Sequence, residues 1–259
     1  MAKISLAVVT FNNAALIQAC LSSILAQPEA VQVYIVDNAS EDKTVNVLKT
    51  LPDIDRVRLI ENKTNVGFGA GHNQVIACVD SEYHVLCNPD IVVNADTLKI
   101  LAAYMDNNPD IGLVCPRFNY ADGRLQANNH RLPTVFDLAL RRLAPKRLKK
   151  CLEKRMNRYL MLDVGYDLPC DVPFVSGAFM FCRTAVLRQV GGFDTRYFLY
   201  FEDVDLCRKV QLAGFRTAYC PDASVVHLWQ RAAYKSWRMT WVMLISALKY
   251  FNKWDYQFF

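Results

Sequence analysis

Two kinds of segment alternate through the first 118 residues, and this alternation limits the fold more than any other feature of the chain. Short apolar runs rich in β-branched residues stand at ISLAVVTF (4–11), VQVYIVDN (31–38), VRLIEN (57–62), YHVLCNPD (83–90) and IGLVCPRF (111–118). Segments with helical spacing separate them, among them NAALIQACLSSILAQ and ADTLKILAAYMDNN. A strand that is followed by a helix returns to pair in parallel, because the helix carries the chain back across one face of the sheet. The pattern predicts an α/β fold: a mainly parallel, Rossmann-like sheet with helices on both faces. Ligands of such sheets bind beyond the carboxyl ends of the strands. The residues there are polar. Thr10, Asn12, Asp37, Asn38, Asn65, Asn88 and Asp90 are expected to converge on one rim.

The alternation breaks after Phe118. NYADGRLQ reads as a hairpin turning at Asp122-Gly123, and a basic, helix-like stretch interrupted by Pro145 follows. DVPFVSGAFMFCRT reads as one strand, followed by a short helix ending at Gly191-Gly192. FLYFEDVDLCRK then places Glu202, Asp203 and Asp205 at the head of a helix, behind a run of large apolar side chains. Leu206, Val210 and Ala213 share one face of that helix, and Gly214 ends it. A strand, FRTAYCPDASVVHL, brings in His227, and the tail mixes aromatic residues with lysine in an amphipathic pattern. The expected division is one domain over residues 1–228 and a helical tail over 229–259. Within the domain, 1–118 is the nucleotide-binding half. Residues 119–228 form the acceptor half, with a basic insert at 141–158.

Composition narrows the class. With 53% hydrophobic and 21% charged residues the chain is globular, and a net charge of +5 does not mark a nucleic-acid binder. The charge is uneven, however: residues 141–158 hold nine Lys or Arg against the single acid Glu153. The nine cysteines are odd in number and none forms a C-x-x-C pair, which fits reduced, mostly buried thiols in a cytoplasm. The first residues lack the long apolar region of a signal peptide, and the apolar run at 241–248 is too short to span a bilayer. The expectation is a cytoplasmic protein that rests peripherally on the inner face of the cell membrane. Basic residues of 141–158 together with Trp237, Arg238, Trp241, Lys249 and Trp254 would face anionic lipid, unless they are a solvated helix face.

Each motif admits a functional and a plain reading. NVGFGAGHN fails the dinucleotide fingerprint, since His72 occupies the third glycine position. What remains is a glycine-rich turn at a helix N-terminus, either a phosphate cradle or a strand–helix turn. Asp90 in Asn88-Pro89-Asp90 is either a helix cap or a ligand for a divalent cation that bridges phosphates. His227 is either a structural histidine or a ligand suited to Mn²⁺ more than to Mg²⁺. Acids in a first helical turn offset the helix dipole, which accounts for Glu202 and Asp205. The apolar wall before them would make one carboxylate a better general base.

Taken in order, TFNN, VDNAS, NVGFGAGHN, LCNPD, VSGAFMFCR, GGFDTRYFLYFEDVDLCRKVQLAGF and the histidine after the last strand resemble a known family. The chain looks like a family-two inverting glycosyltransferase of the GT-A fold, in its rhamnosyltransferase-like branch. The resemblance implies a single domain with a C-terminal helical acceptor region, and it implies roles at matching positions. Thr10, Asn12, Asp37 and Asn38 would hold the base and ribose of a nucleotide sugar. Asn65, Gly67, Gly69 and Asn73 would lie along ribose and diphosphate, with Asn88 beside the donor and Gly177 beside the transferred sugar. Asp90 stands at the family's metal-binding aspartate, His227 at a histidine that joins the metal or diphosphate, and Mg²⁺ or Mn²⁺ is the implied cofactor. Asp203 is the implied base, with Glu202 orienting it or the acceptor. The implied partners are a nucleotide-sugar donor and a saccharide or polyprenyl-linked saccharide acceptor. Members often continue further after the histidine, so the acceptor side is expected to differ here.

The residue types suit that chemistry. Inverting transfer is one in-line displacement and needs one base, whereas glycoside hydrolysis needs a pair of carboxylates across the sugar. Glu202 and Asp203, adjacent in sequence, would hardly flank a sugar. The expected activity is transfer of a sugar, dTDP-rhamnose being the leading donor, in the synthesis of a bacterial surface polysaccharide. The alternatives are a UDP-hexose transferase and a non-catalytic, membrane-associated subunit of the same fold. A nucleotidyltransferase would carry a basic glycine-rich loop near the N-terminus, and VVTFNNAAL has no Lys, Arg or Gly.

Overall fold

The computed structural model describes residues 3–51, 56–143, 145, 151–228 and 237–258. Its first half is built as the alternation predicts. Strands β1 (Ile4–Thr10), β2 (Val31–Asp37), β3 (Val57–Glu61) and β4 (Tyr83–Cys87) pair in the order β3-β2-β1-β4, every pair parallel. The period-2 geometry of a strand sends alternate residues of β1 to opposite faces. Ile4, Leu6 and Val8 join Ile17, Leu21 and Ile24 of helix α1 (Ile17–Leu25) in the main core. Ala7 and Val9 join Val75 and Val79 in a second core under helix α3 (Phe68–Ile76), the next helix after the short α2 (Thr44–Lys49). The two-faced sheet is therefore written in β1 itself.

The second half threads back through the same sheet. β10 (Phe179–Arg183) runs antiparallel between β4 and β6 (Ile111–Asn119), and β11 (Arg216–His227) lies parallel beside β6. β5 (Ile91–Val93) closes the far edge of this nine-stranded sheet, and β8 (Cys170–Asp171) pairs with β11 off the main path. A separate small sheet joins β7 (Asn129–His130) to β9 (Phe174–Val175). Helix α4 (Thr97–Asp106) buries Leu98, Leu101 and Met105 in the main core. The stretch expected as one strand, DVPFVSGAFMFCRT, is three: β8, β9 and β10. The chain leaves the sheet at Ser176-Gly177-Ala178, where the Gly177 N–H turns to the Asp203 carboxylate and the Ala178 carbonyl accepts the Asn88 N–H.

The basic insert is helical on both of its flanks, in α5 (Val135–Leu143) and α6 (Glu153–Tyr159); residues 144 and 146–150 lie outside the described residues. Arg155 does not face lipid as expected. It donates to Asp137 at 2.6 Å and stacks its guanidinium 4.8 Å from the Phe136 ring centre. Two further helices follow, α7 (Thr184–Gln189) and α8 (Glu202–Leu212), and the chain closes with α9 (Trp237–Trp254). One side of α9 buries Ser246, Tyr250 and Phe251; the last two form a core with Tyr197, Phe201 and Val204. Each large ring so buried contributes about 1.5–3 kcal/mol, so this helix is part of the folded body.

Candidate active site

The carboxyl edge of the parallel strands gathers the predicted rim. Thr10 and Asp37 are register partners, and the Asn38 N–H donates to the Thr10 carbonyl. Each polar side chain here has a local partner. The Asp37 carboxylate accepts the backbone N–H of Ser40 at 2.9 Å and its hydroxyl at 2.5 Å. Asn12, in left-handed backbone with φ 57°, accepts the N–H groups of Glu41 and Asp42. Asn38 donates to the Gly67 carbonyl and accepts from Asn62. These contacts fix the floor of a cleft and join the ends of β1, β2 and β3.

The glycine-rich turn sits beside that floor. Asn65 accepts the Gly67 N–H at 3.0 Å, and Gly67 (φ 91°) precedes α3. A Cβ on Gly67 would stand 2.4 Å from the Phe198 carbonyl oxygen, and one on Gly69 would stand 2.7 Å from Phe193 Cβ. Both glycines thus let the 193–201 loop lie directly on the start of α3, where Phe198 accepts the Phe68 N–H. Asn73 is occupied in the same contact: its amide both donates to and accepts from the backbone of Phe193, at 2.8 Å each way.

That loop carries the acid cluster. Tyr200 and Phe201 both hold positive φ, 69° and 68°, a conformation that costs of order 1–3 kcal/mol per residue without glycine. Ser246 of α9 holds the Leu199 carbonyl at 2.8 Å, Lys249 donates to the Arg196 carbonyl at 2.6 Å, and the Tyr250 ring packs 5.4 Å from that of Phe201. The strained pair ends the loop abruptly and aims the first turn of α8 at the sheet. Asp203 there accepts the N–H groups of Gly177 at 3.0 Å and Val204 at 2.9 Å. A Cβ on Gly177 would lie 3.1 Å from Asp203 Cβ, so a side chain there would push Asp203 by a few tenths of an ångström.

The three acids differ in state. Burial pushes the Glu202 carboxyl well above the usual range, the Asp203 charge adds to the effect, and Glu202 Oε2 is buried without a hydrogen bond. Burial raises Asp203 too, but the donors from Gly177 and Val204 oppose it. Of two adjacent carboxyls in one dry place, the one with N–H donors gives up its proton first. Glu202 therefore holds its proton more tightly than Asp203 does. Asp205 is fully buried and bonded to Lys253 and to the Trp254 indole N–H, both at 2.7 Å. The helix dipole, sufficient from sequence for Glu202 and Asp205, does not account for carboxyls this deeply buried. Trp254, expected on a lipid-facing side, turns inward in this same contact.

On the opposite rim, the β5–β11 pairing sets His227 beside Asp90, with Nε2 3.2 Å from Oδ2. Asp90 Oδ1 is buried without a partner. Asn88 meets Ala178 through its backbone, so the Asp90 rim and the Gly177–Asp203 corner are adjoining pieces of one edge. No cluster of three or more His, Cys, Asp or Glu occurs among the described residues. A divalent cation bound here would take two protein ligands, Asp90 and His227, and the rest from phosphate and water, as small hard cations commonly do. The orphaned carboxylate oxygen and the imidazole fit that donor set.

The sequence profile of glycosyl transferase family 2 matches residues 5–191. The chain belongs to this family. Among the relatives of this glycosyltransferase is the N-acetylglucosaminyl-diphospho-decaprenol L-rhamnosyltransferase of Mycobacterium tuberculosis, 26% identical over 85% of the chain and 74% of the relative. The rhamnosyltransferase WbbL of Escherichia coli K12 is 24% identical over 85% of the chain and 81% of the relative. The fold is shared with a mannosyltransferase from Pyrobaculum calidifontis solved with GDP-Man and Mn²⁺, at TM-score 0.63 and 21% identity, covering 92% of this chain and 60% of that one. It is shared too with GalNAc-T7 solved with UDP, GalNAc and Mn²⁺, at TM-score 0.72 and 13% identity, covering 98% of this chain and 48% of that one. The glycosyltransferase thus spans about half to three fifths of those two chains. The expected GT-A architecture, one α/β domain on a largely parallel sheet, is borne out.

Sequence reasoning missed two groups of residues in this glycosyltransferase. Lys253 and Trp254 reach the acid cluster from the far end of the chain, and no local spacing announces that. Gln126, whose Oε1 lies 3.0 Å from His227 Nδ1, had a usable signal. The hairpin at Asp122-Gly123 must return it beside Phe118, whose register partner Val225 lies on the strand that ends at His227.

Proposed function

We propose that the protein transfers a sugar with inversion from a nucleotide-diphosphate donor, dTDP-rhamnose being the leading candidate, to a saccharide or lipid-linked saccharide in surface-polysaccharide synthesis. The observation that carries this is Asp203: a carboxylate at the head of α8 that accepts the N–H groups of Gly177 and Val204, beside a buried Glu202. Asp203 takes the proton of the acceptor hydroxyl as that oxygen bonds to the anomeric carbon. The bond from that carbon to the diphosphate oxygen breaks on the opposite side, and the diphosphate leaves with the electron pair. Glu202 orients Asp203 or the acceptor. Asp37, Asn38 and Asn12 shape the floor for base and ribose, and Asn65 with Gly67 the wall along the diphosphate. Asp90 and His227 are the residues that would hold Mg²⁺ or Mn²⁺, which when bound neutralises charge on the departing diphosphate.

The rhamnosyltransferase relatives support the donor class, and the decaprenol in one relative's name supports a lipid-linked acceptor. The outer side of α9 agrees with an acceptor at a membrane: Trp237, Trp241, Leu244, Ile245 and Leu248 are exposed along one stripe, with Arg238 beside it. No helix among the described residues is long and apolar enough to cross a bilayer, so this reading is of a helix lying on the surface. Calorimetry with TDP, UDP and GDP, each with and without Mn²⁺ or Mg²⁺, tests the donor. Metal-dependent binding of TDP alone is expected. Preference for UDP would transfer the reading to a UDP-hexose donor, and failure of all three would favour a non-catalytic subunit.

A further inference from the structure

We infer that α9 is a two-faced brace: its outer stripe docks on an anionic bilayer, and that docking tightens the loop before Asp203 through its inner face. This rests on the reading of α9 as a helix on a membrane surface and goes beyond it to the acid cluster. Both faces follow from one helical period. Met243, Ala247, Tyr250 and Phe251 pack with Tyr197, Tyr200, Phe201 and Val204, and Ser246 is buried among them. Trp237, Trp241, Leu244, Ile245 and Leu248 recur at the same spacing on the outer side, each between 45% and 77% exposed. An exposed apolar stripe of this size marks a contact surface. The flanking charge chooses the partner. Residues 229–254 hold Arg231, Lys235, Arg238, Lys249 and Lys253 and no acid, a sign opposite to that of anionic lipid. Arg238 and Lys249 lie about three turns apart, on one flank of the stripe, and the amphipathic indoles of Trp237 and Trp241 suit a headgroup boundary. A second copy of the chain would set this positive charge against itself, so a bilayer fits the face better than a dimer does.

The inner face carries the effect to the acids. The Ser246 hydroxyl donates to the Leu199 carbonyl at 2.8 Å and Lys249 to the Arg196 carbonyl at 2.6 Å. Between them they hold the segment that ends in left-handed Tyr200 and Phe201, a conformation unfavourable without such support. Lipid has two ways to use an amphipathic helix: pull it off the body, or bind it in place. Pulling α9 away would strip Asp205, fully buried, of Lys253 and the Trp254 indole, so the helix is bound in place with its outer stripe to the bilayer. A ligand of the docked helix stabilises every contact which that helix makes. The bilayer therefore tightens the loop, and by reciprocity the tightened loop favours the bilayer. Asp203 is then set most firmly where a lipid-linked acceptor is found.

The test uses the whole protein with two kinds of vesicle, phosphatidylcholine alone and phosphatidylcholine with an equal part of phosphatidylglycerol. Flotation reads binding, and amide hydrogen exchange of residues 196–204 reads the loop. Trp241→Ser/Leu244→Ser removes the centre of the stripe without touching the inner face. The wild type is expected to float with the phosphatidylglycerol vesicles, and its 196–204 amides to exchange about 5-fold more slowly there or slower still. The double variant is expected to do neither, with the melting temperature and the exchange in buffer of the wild type. Flotation of the wild type with unchanged or faster exchange at 196–204 would overturn the brace and leave the surface helix standing. Flotation of the double variant to the same extent as the wild type would take the stripe out of the contact and overturn the inference. Wild-type protein that floats with neither vesicle would remove the membrane reading, and the inference with it. A dimer in sedimentation that the double variant abolishes would assign the stripe to a second copy and overturn the inference as well.

Discussion

The donor half and the acceptor half hold their polar residues in opposite ways. On the edge of β1, β2 and β3, most partners are neighbouring loops of that same edge: Asp37 is bonded to Ser40, Asn12 to Glu41 and Asn38 to Gly67. In the acceptor half the partners come from other elements, the last helix above all. Asp203 is held by Gly177, Asp205 by Lys253 and Trp254, and the strained Tyr200-Phe201 pair by residues of α9. Partners on the same edge give a cleft that any sequence variant with the same loops retains. Partners from other elements give a carboxylate with an unusual environment, but only while the chain's last helix stays docked.

The largest expected effect isolates chemistry from this scaffold. Asp203→Asn preserves the shape and can still accept one N–H, yet it cannot take a proton. Turnover should fall about 10²- to 10⁴-fold, with donor binding by calorimetry and thermal stability unchanged. Parallel loss of donor binding would place Asp203 in the donor site and blur the distinction between the halves. The acid limb of kcat against pH should lie above the ordinary carboxylate range in the wild type, because burial raises Asp203.

The next effect tests dependence on the tail. Asp205→Ala leaves Lys253 and the Trp254 indole without their buried acceptor. Because Lys253 keeps Asp194 as a partner, losing this buried acceptor costs about 1–3 kcal/mol, measurable by urea denaturation. Lys253 is shared with Asp194, which the Arg196 and Lys253 charges hold far below the usual carboxylate range; Lys253→Met should therefore couple to both acids in a double-mutant cycle. The comparison predicts that Asp205→Ala lowers turnover as well as stability, since α9 braces the loop before Asp203. Full activity in a destabilised Asp205→Ala protein would mean that the strained pair is held without α9.

Legibility from sequence divides along the same line. β1 to β4 and their helices could be read because a two-residue and a 3.6-residue period are local properties, and the polar ends of those strands followed from the parallel topology. Asp90, Asp203 and His227 could be named through ordered motifs. The environment of the acids could not. Nothing near FEDVDL says that Asp205 meets Trp254, or that Glu202 is only 4% exposed. The glycines of NVGFGAGHN were legible as glycines but not as the bed for Phe193 and Phe198. The break of one expected strand at Gly177 was hidden for a related reason. VSGAFMF has an unbroken apolar pattern, and what turns it out of the sheet is a carboxylate on another helix.

The smallest effect concerns a buried polar group that belongs to the donor half and does no chemistry. His84 of β4 is fully buried, its Nδ1 2.7 Å from the Ser5 hydroxyl, which in turn meets Ser81 at 2.6 Å. Burial lowers its pKa to about 3, and His72, buried nearby between Phe68 and Phe193, is lowered as well. An unfolded histidine titrates near 6.5, so between these values the unfolded chain binds a proton that folded His84 refuses. Stability then rises with pH across that window and is lost as pH falls below about 6.5, by about 2 kcal/mol from His84 at pH 5. His84→Leu should flatten that part of the acid limb in urea denaturation from pH 7 to 5, while turnover at pH 7 stays as in the wild type. A change in turnover instead would mean that the core of the donor half feeds into the reacting centre, and that its polar residues are not so self-contained as their bonds within that half imply.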